Sequence, residues 1–318
     1  MPETNTQKPK KETKTAQKTP PPVKTPEKKL TKKNIELKRI DWFDDRFYKI
    51  KYTNEQQVDI EDYLPSVTTK LGALSKPMLT RWYGDLGNRE AKLQMNEKAE
   101  RGSRIHWAWE TYVTAGVVIY DPPKTPLYNQ EEKDEIIKRH NGHFFLLHTQ
   151  DEMWNFLKLR QFHQAIKPYF SMSEATIFDI ANRDAGTMDN LFGIEEGEYA
   201  INGAKVVKLE KGLYIFDAKT GNYVGNEAKM QLGAYWGCIN YMIDNRMIDL
   251  PEQQIKGAII GHTSAKTKNG IEGFSAIVIN ALDLSEYYNR YRSIAKVWDS
   301  EFGTLKPKIR QLEGFVAL

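Results

Sequence analysis

The sequence predicts an α/β (α+β) chain, on three observations. Around residues 212–219, Leu213, Ile215, Asp217 and Lys219 fall on one side of a period of two, with Tyr214, Phe216 and Ala218 on the other. Two Asn-Gly pairs, Asn202-Gly203 and Asn269-Gly270, stand between strand-like runs and mark hairpins. Longer stretches, among them 225–244 and 283–299, carry apolar residues at helical spacing. With 318 residues, 40% of them hydrophobic, the chain can bury an ample core.

Taken in order, residues 1–35 are mostly Lys, Thr and Pro. They hold ten Lys and three Glu, a charge of +7, which leaves −3 for the rest of a chain whose net charge is +4. Such a segment has too little apolar surface to fold and is expected to be disordered, as a solubilising tail or a tether on a phosphate backbone. Residues 36–318 then read as one domain. ELKRIDWFDDRFYKIKY forms a strand or hairpin. Pro65 breaks the chain, and Ser66 or Thr68 can cap a helix whose apolar face holds Val67, Leu71 and Leu74. A capped helix start is also a place for a phosphate, which makes Ser66 and Thr68 candidate nucleic-acid contacts.

Residues 88–118 read as two helices, the first exposed, with Arg101-Gly102-Ser103 between them and Ser103 as the second N-cap. His106 then falls in a first turn, four residues from Glu110, which could take one of its ring protons. Ile105, Trp109, Tyr112 and Val113 turn toward a core. Residues 119–168 read as a helical insertion: a Pro-rich loop and then two helices. Its histidines, His140, His143, His148 and His163, lack metal-ligand spacing and are taken as surface or packing residues.

SEATIFDIANRD follows as a strand headed by Glu174, and AGTMDNLFGI as its neighbour. Residues 195–211 form a β-ribbon, and 212–219 a strand covered on both faces. The helix 225–244 places Gln231 and Tyr235 on one face and buries Cys238. The second hairpin bears Lys266 and Lys268 near its tip.

Charge sits where this pattern calls for apolar residues. A strand covered on both faces ends in Asp217-Ala-Lys219, and the strand before it carries Asp189. Buried unpaired charges cost several kcal/mol or more, so these groups need one another or a metal. Two carboxylates on adjacent strands can hold Mg²⁺ or Mn²⁺, hard cations that prefer oxygen. A lysine two residues beyond the second acid points the same way and can stabilise developing negative charge. One cysteine excludes a four-cysteine cluster, so no iron–sulfur cluster is expected. No apolar run spans a bilayer and the N-terminus lacks a signal-peptide pattern, so no membrane association and an intracellular location are expected.

The order of motifs resembles the PD-(D/E)xK nuclease superfamily. RGSRIH with Glu110, then Glu174, AGTMDNL, IFDAKTG and QLGAYW carry the likeness, together with PSVTT upstream. It is nearest to the RecB-type branch, which includes phage exonucleases, and covers roughly 63–280 with 119–168 unmatched. The resemblance implies a restriction-endonuclease-like core, a mixed sheet flanked by helices with the site at one edge. It implies metal-dependent cleavage of DNA, with His106, Asp189 and Asp217 as metal ligands and Lys219 acting on water or the scissile phosphate. Gln231 and Tyr235 would support the site, and Glu174 aligns by position alone. Candidate phosphate contacts are Arg104, Lys266 and Lys268, and Trp107 is a candidate for stacking on a base.

Two departures stand out: Ala218 where relatives often carry Tyr or Trp, and a long Asp189–Asp217 spacing. No helicase motif accompanies the site, so replication or recombination proteins would be separate chains. The expected activity is that of an exonuclease on single-stranded or end-containing DNA. The alternatives are an endonuclease on the same core and a non-catalytic nucleic-acid-binding or virion-assembly protein.

Overall fold

The computed structural model describes residues 35–42, 45–53, 58–201, 205–265 and 273–307. The basic tail, Lys266, Lys268 and both Asn-Gly turn tips lie outside the described residues, and so do the expectations placed on them.

Glu36–Trp42 (β1), Asp45–Thr53 (β2) and Asp59–Pro65 (β3) form an antiparallel sheet, with Phe47, Tyr48, Ile50 and Leu64 buried. Ser66 caps Val67–Leu71 (α1): its Oγ accepts the Thr69 N–H at 3.0 Å. A parallel bridge from Ser66 to Ala185 joins this small sheet to the main one. Pro77–Leu86 (α2) begins with a proline in its first turn, where the missing N–H has no partner to lose.

Asn88–Val113 (α3) runs unbroken for 26 residues, which corrects the expected interruption at Arg101-Gly102-Ser103. Ser103 is inside the helix, not its cap, and its Oγ–H donates back to the Ala99 carbonyl at 3.0 Å. Gly102 serves close approach instead of a break: a Cβ there would lie 3.2 Å from Thr220 Oγ1. His106 therefore sits deep in a long helix and not in a first turn.

The segment 119–168 is not helical throughout. Gln130–Arg139 (α4) and Gln150–Ile166 (α5) are the two expected helices, each opened by a capping box. Between and before them, Val117–Tyr120 (β4) and Phe144–Leu147 (β5) pair in parallel; at four residues each, their periodicity is too short to declare itself. Helix α5 also packs on the main sheet, with the Phe162 and Phe216 rings stacked at 5.3 Å.

The main sheet has the order β12-β11-β10-β7-β6. Its strands are Phe170–Asp179 (β6), Asp184–Ile194 (β7), Gly212–Lys219 (β10), Ile255–Ala265 (β11) and Gly273–Asn280 (β12). Gly197–Ile201 (β8) and Lys205–Leu209 (β9) make the expected ribbon. Pairing is antiparallel except between β10 and β11, which are parallel and joined through Asn226–Asp244 (α6), so the sheet is mixed and the class is α+β. Ala281–Phe302 (α7) closes the described fold, its N-terminus capped by Asn280.

The period of two in β10 holds. Leu213 and Ile215 pack with Tyr235, Ile239 and Tyr291 from α6 and α7. Tyr214, Phe216 and Ala218 pack with Ile105, Trp109 and Phe162 from α3 and α5. Each fully buried Ile or Phe contributes about 1.5–3 kcal/mol. Where α1, the start of β7 and α7 meet lies an ion cluster centred on the buried Lys70 and Asp184, which sequence reading missed. Lys70 Nζ is 2.8 Å from Asp184 Oδ1 and 3.0 Å from Asp299 Oδ1, and Arg292 Nη1 is 2.7 Å from Asp184 Oδ2. Among the described residues no helix is long and apolar enough to cross a membrane.

Candidate active site

The site forms where β7 and β10 stop pairing. Their ladder ends at Phe216 opposite Asn190. One step further the Asp189 side chain takes over, its Oδ2 accepting the Ala218 N–H at 2.8 Å. That bond sets Asp189 beside the end of β10, where Asp217 and Lys219 emerge on the face that Leu213 and Ile215 began.

Helix α3 brings His106 to the same carboxylate: Nδ1 lies 3.2 Å from Asp189 Oδ2. The ring thus pairs with Asp189 and not with Glu110, which corrects the expected partner. The helix is pinned one turn later, where Trp109 Nε1–H donates to Asn190 Oδ1 at 2.6 Å, and Asn190 Nδ2 donates to Ser173 Oγ at 2.7 Å. On the other side, Lys219 Nζ donates to Asp217 Oδ1 at 2.9 Å and to Gln231 Oε1 at 3.2 Å, and Gln231 Nε2 donates to Tyr235 Oη at 2.9 Å. Asp217 Oδ2 lies 2.7 Å from the same ammonium, yet it is off the hydrogen-bonding direction, so this buried oxygen accepts no hydrogen bond.

Six residues singled out in the sequence, His106, Asp189, Asp217, Lys219, Gln231 and Tyr235, therefore form one connected cluster. Glu174 lies next to it. By the flanking pairs Ser173–Asn190 and Ala175–Met188 it stands across from Asp189, within β6 and not at its head. Its φ of +45° is in the left-handed region, an uncommon conformation for a non-glycine residue, and departures of this kind gather at functional sites.

Burial and mutual attraction compete throughout the cluster. Burial alone would lower the His106 pKa, but the Asp189 carboxylate outweighs it and holds the imidazole up at about 9. Burial would raise Asp189, yet His106, Lys219 and the Ala218 amide pull it below the ordinary carboxylate range. For Asp217, burial and the neighbouring Asp189 charge prevail over Lys219, and its pKa rises. Burial would lower Lys219, but Asp217 and Asp189 keep it above its usual value, so it stays charged.

The donor set suits a hard divalent cation in part. Two carboxylates and an imidazole converge at the strand end. Among the described residues, however, no three His, Cys, Asp or Glu side chains are arranged as a finished ligand set. His106 and the Ala218 amide engage one Asp189 oxygen, and Lys219 sits on Asp217.

The expected strand contacts fall elsewhere. Arg104 is committed to the fold: its Nε–H donates to Glu152 Oε1 at 2.8 Å, Nη2 donates to the Leu146 carbonyl at 2.6 Å, and the guanidinium lies over Phe145. Ser66 is buried as the cap of α1. Thr68 is exposed on a polar groove of about 590 Å³ beside Arg39 and Arg46. Trp107 is half exposed and touches Phe145, outside the core.

Sequence reading missed Asn190, Ser173, Gly186 and Thr187. Tyr235 lies against Gly186, where a Cβ would be 2.5 Å from its Cε1, and Thr187 Oγ1 is 2.8 Å from Tyr48 Oη. For Asn190, Gly186 and Thr187 the one available signal was proximity to Asp189 in AGTMDN, and for Ser173 it was its place beside Glu174 in the preceding strand. No protein-family model matches the sequence, and no curated protein is similar to it at a significant level.

Proposed function

We propose that this chain is a Mg²⁺- or Mn²⁺-dependent deoxyribonuclease, an exonuclease that hydrolyses phosphodiester bonds of single-stranded or end-containing DNA in replication, recombination or processing. One observation carries the reading: His106, Asp189, Asp217 and Lys219, spread over more than a hundred positions, converge at one splayed strand end. The resemblance of their motifs to PD-(D/E)xK nucleases supplies the substrate class.

Asp189, Asp217 and His106 would hold the cation. Bound there, it would neutralise phosphate charge and acidify an attacking water. Asp189, held ionised by its neighbours, offers the negative charge for that role. Lys219, charged and partly exposed, is placed to stabilise the charge that builds on a phosphoryl oxygen. Gln231 fixes the ammonium's direction and is itself fixed by Tyr235.

A second reading, a nucleic-acid-binding protein without catalysis, is favoured by the charge balance of the cluster. Asp189 is paired with His106 and Asp217 with Lys219, so each carboxylate has a cationic partner without a metal. End-labelled single- and double-stranded DNA, incubated with Mg²⁺, Mn²⁺ or EDTA, separates the two. Metal-dependent cutting that Lys219→Ala loses is the expected result. Binding without cutting by the native protein would favour the second reading, and equal cutting by both proteins would remove Lys219 from the reaction. A covalently closed circle left intact would distinguish exonuclease from endonuclease.

A further inference from the structure

Arg101 opens the tripeptide that was expected to break α3, and it has no role in the site as described so far. Its side chain is one-third exposed. Nη1 is 2.8 Å from Asp151 Oδ2, an exposed carboxylate on α5. Nη2 reaches the carbonyl of Thr220, the residue after Lys219, at 3.4 Å, which is long for a hydrogen bond. Nε is buried and has no acceptor. On the edge formed by Nε and Nη2, Nε is therefore unsatisfied and Nη2 is held only by the long Thr220 contact, and this edge lies against the segment that leaves Lys219. Gly102 makes this approach possible, since a Cβ there would press on Thr220 Oγ1.

A buried donor without a partner calls for an explanation. Two parallel N–H groups of a guanidinium match two oxygens of a carboxylate or phosphate, a pairing that lysine cannot reproduce. We propose that Arg101 grips a backbone phosphate of the DNA strand through its Nε–Nη2 edge, next to the phosphate that is cut. The proposal rests on the nuclease reading. Because Nε is buried in the unbound protein, the Thr220 segment must turn aside and give up its contact with Nη2 as the strand binds, and Asp151 remains a solvent-exposed counter-ion that is not needed for the grip.

The test uses single-stranded oligonucleotides in which one phosphate at a time is replaced by a neutral methylphosphonate. Native protein, Arg101→Lys and Asp151→Ala are compared under multiple turnover. Arg101→Lys should raise KM about ten- to a hundredfold with kcat little changed, as expected for a lost charged hydrogen-bond pair. At one methylphosphonate position the native protein should lose as much, and Arg101→Lys should lose nothing more. The slope of log affinity against log salt should fall by about 0.7 in Arg101→Gln, which removes the charge, and stay near native in Arg101→Lys, which keeps it. Asp151→Ala should keep native KM. If Arg101→Lys has native KM, or if Asp151→Ala loses as much, Arg101 merely braces α3 against α5 and the proposal is overturned while the nuclease reading stands. If the native protein cuts nothing with any metal, the nuclease reading itself falls, and this proposal with it.

Discussion

Asp189 accepts the main-chain N–H of Ala218 at 2.8 Å, so a carboxylate closes the gap where the β7–β10 ladder ends. The same side chain thus holds a strand end in place and carries charge for the site. The two tasks separate by mutation. Asp189→Asn keeps an acceptor for the amide, whereas Asp189→Ala leaves a buried N–H without one, at about 1–3 kcal/mol. Both variants should lose metal-dependent cutting, and in urea denaturation Ala should be less stable than Asn by that amount. Equal stability of the two would show that the bond contributes nothing to the strand end.

Gly186 transmits to the site through Tyr235. A methyl group there would meet the ring at 2.5 Å, and the ring leads through Gln231 to Lys219. Gly186→Ala should cost about 1–3 kcal/mol by overpacking and lower the cutting rate. In a Tyr235→Leu background the same change should cost less, since the ring it strikes is gone. Additive costs in this double-mutant cycle would rule out the proposed route.

What the sequence revealed of this architecture follows physical range. The faces of β10 were legible because a period of two over eight residues leaves little ambiguity. Asp189, Asp217 and Lys219 were legible because charge stood where burial was expected. Asn190 was not: its partners Trp109 and Ser173 come from distant elements, and a polar residue in a strand has no local signature. The Arg101-Gly102-Ser103 break does not form because Ser103 bonds back to Ala99 inside the helix instead of capping a new one, and Gly102 is not there to break it. Its actual value is the room it leaves for Thr220, a residue 118 positions away in the sequence. The pair β4–β5 was hidden for a different reason, since four-residue strands fall below the length at which alternation is informative.

Lys70 stands in the short helix α1 and is fully buried. It neutralises Asp184 and Asp299 from α1, tying that helix to β7 and α7. Lys70→Met keeps the apolar stem and removes the charge. Breaking a buried pair typically costs about 3–5 kcal/mol. Asp184 still keeps Arg292 at 2.7 Å and the Tyr291 hydroxyl at 2.8 Å, so the lower end is expected, about 3 kcal/mol. A urea midpoint unchanged from native would mean that those two partners satisfy Asp184 alone.

His163 gives the fold an acid-sensitive point away from the site. Its ring packs among Trp109, Tyr112 and Phe192, with centroids 5.8, 5.4 and 5.7 Å away. Burial lowers its pKa from the ordinary 6.5 to about 4. Between those values the unfolded chain binds the proton and the folded chain does not, so stability rises with pH across that window and falls as pH drops from 6.5 toward 4. The full span amounts to about 3 kcal/mol. Contributions from the other carboxylates cancel when native protein is compared with His163→Phe, which fills the same aromatic space without a titrating group. The difference in unfolding free energy between the two should therefore shift by up to about 3 kcal/mol between pH 7 and pH 4, with the native protein losing more. Parallel curves for the two proteins would mean that His163 takes up its proton in the folded state as readily as in the unfolded one.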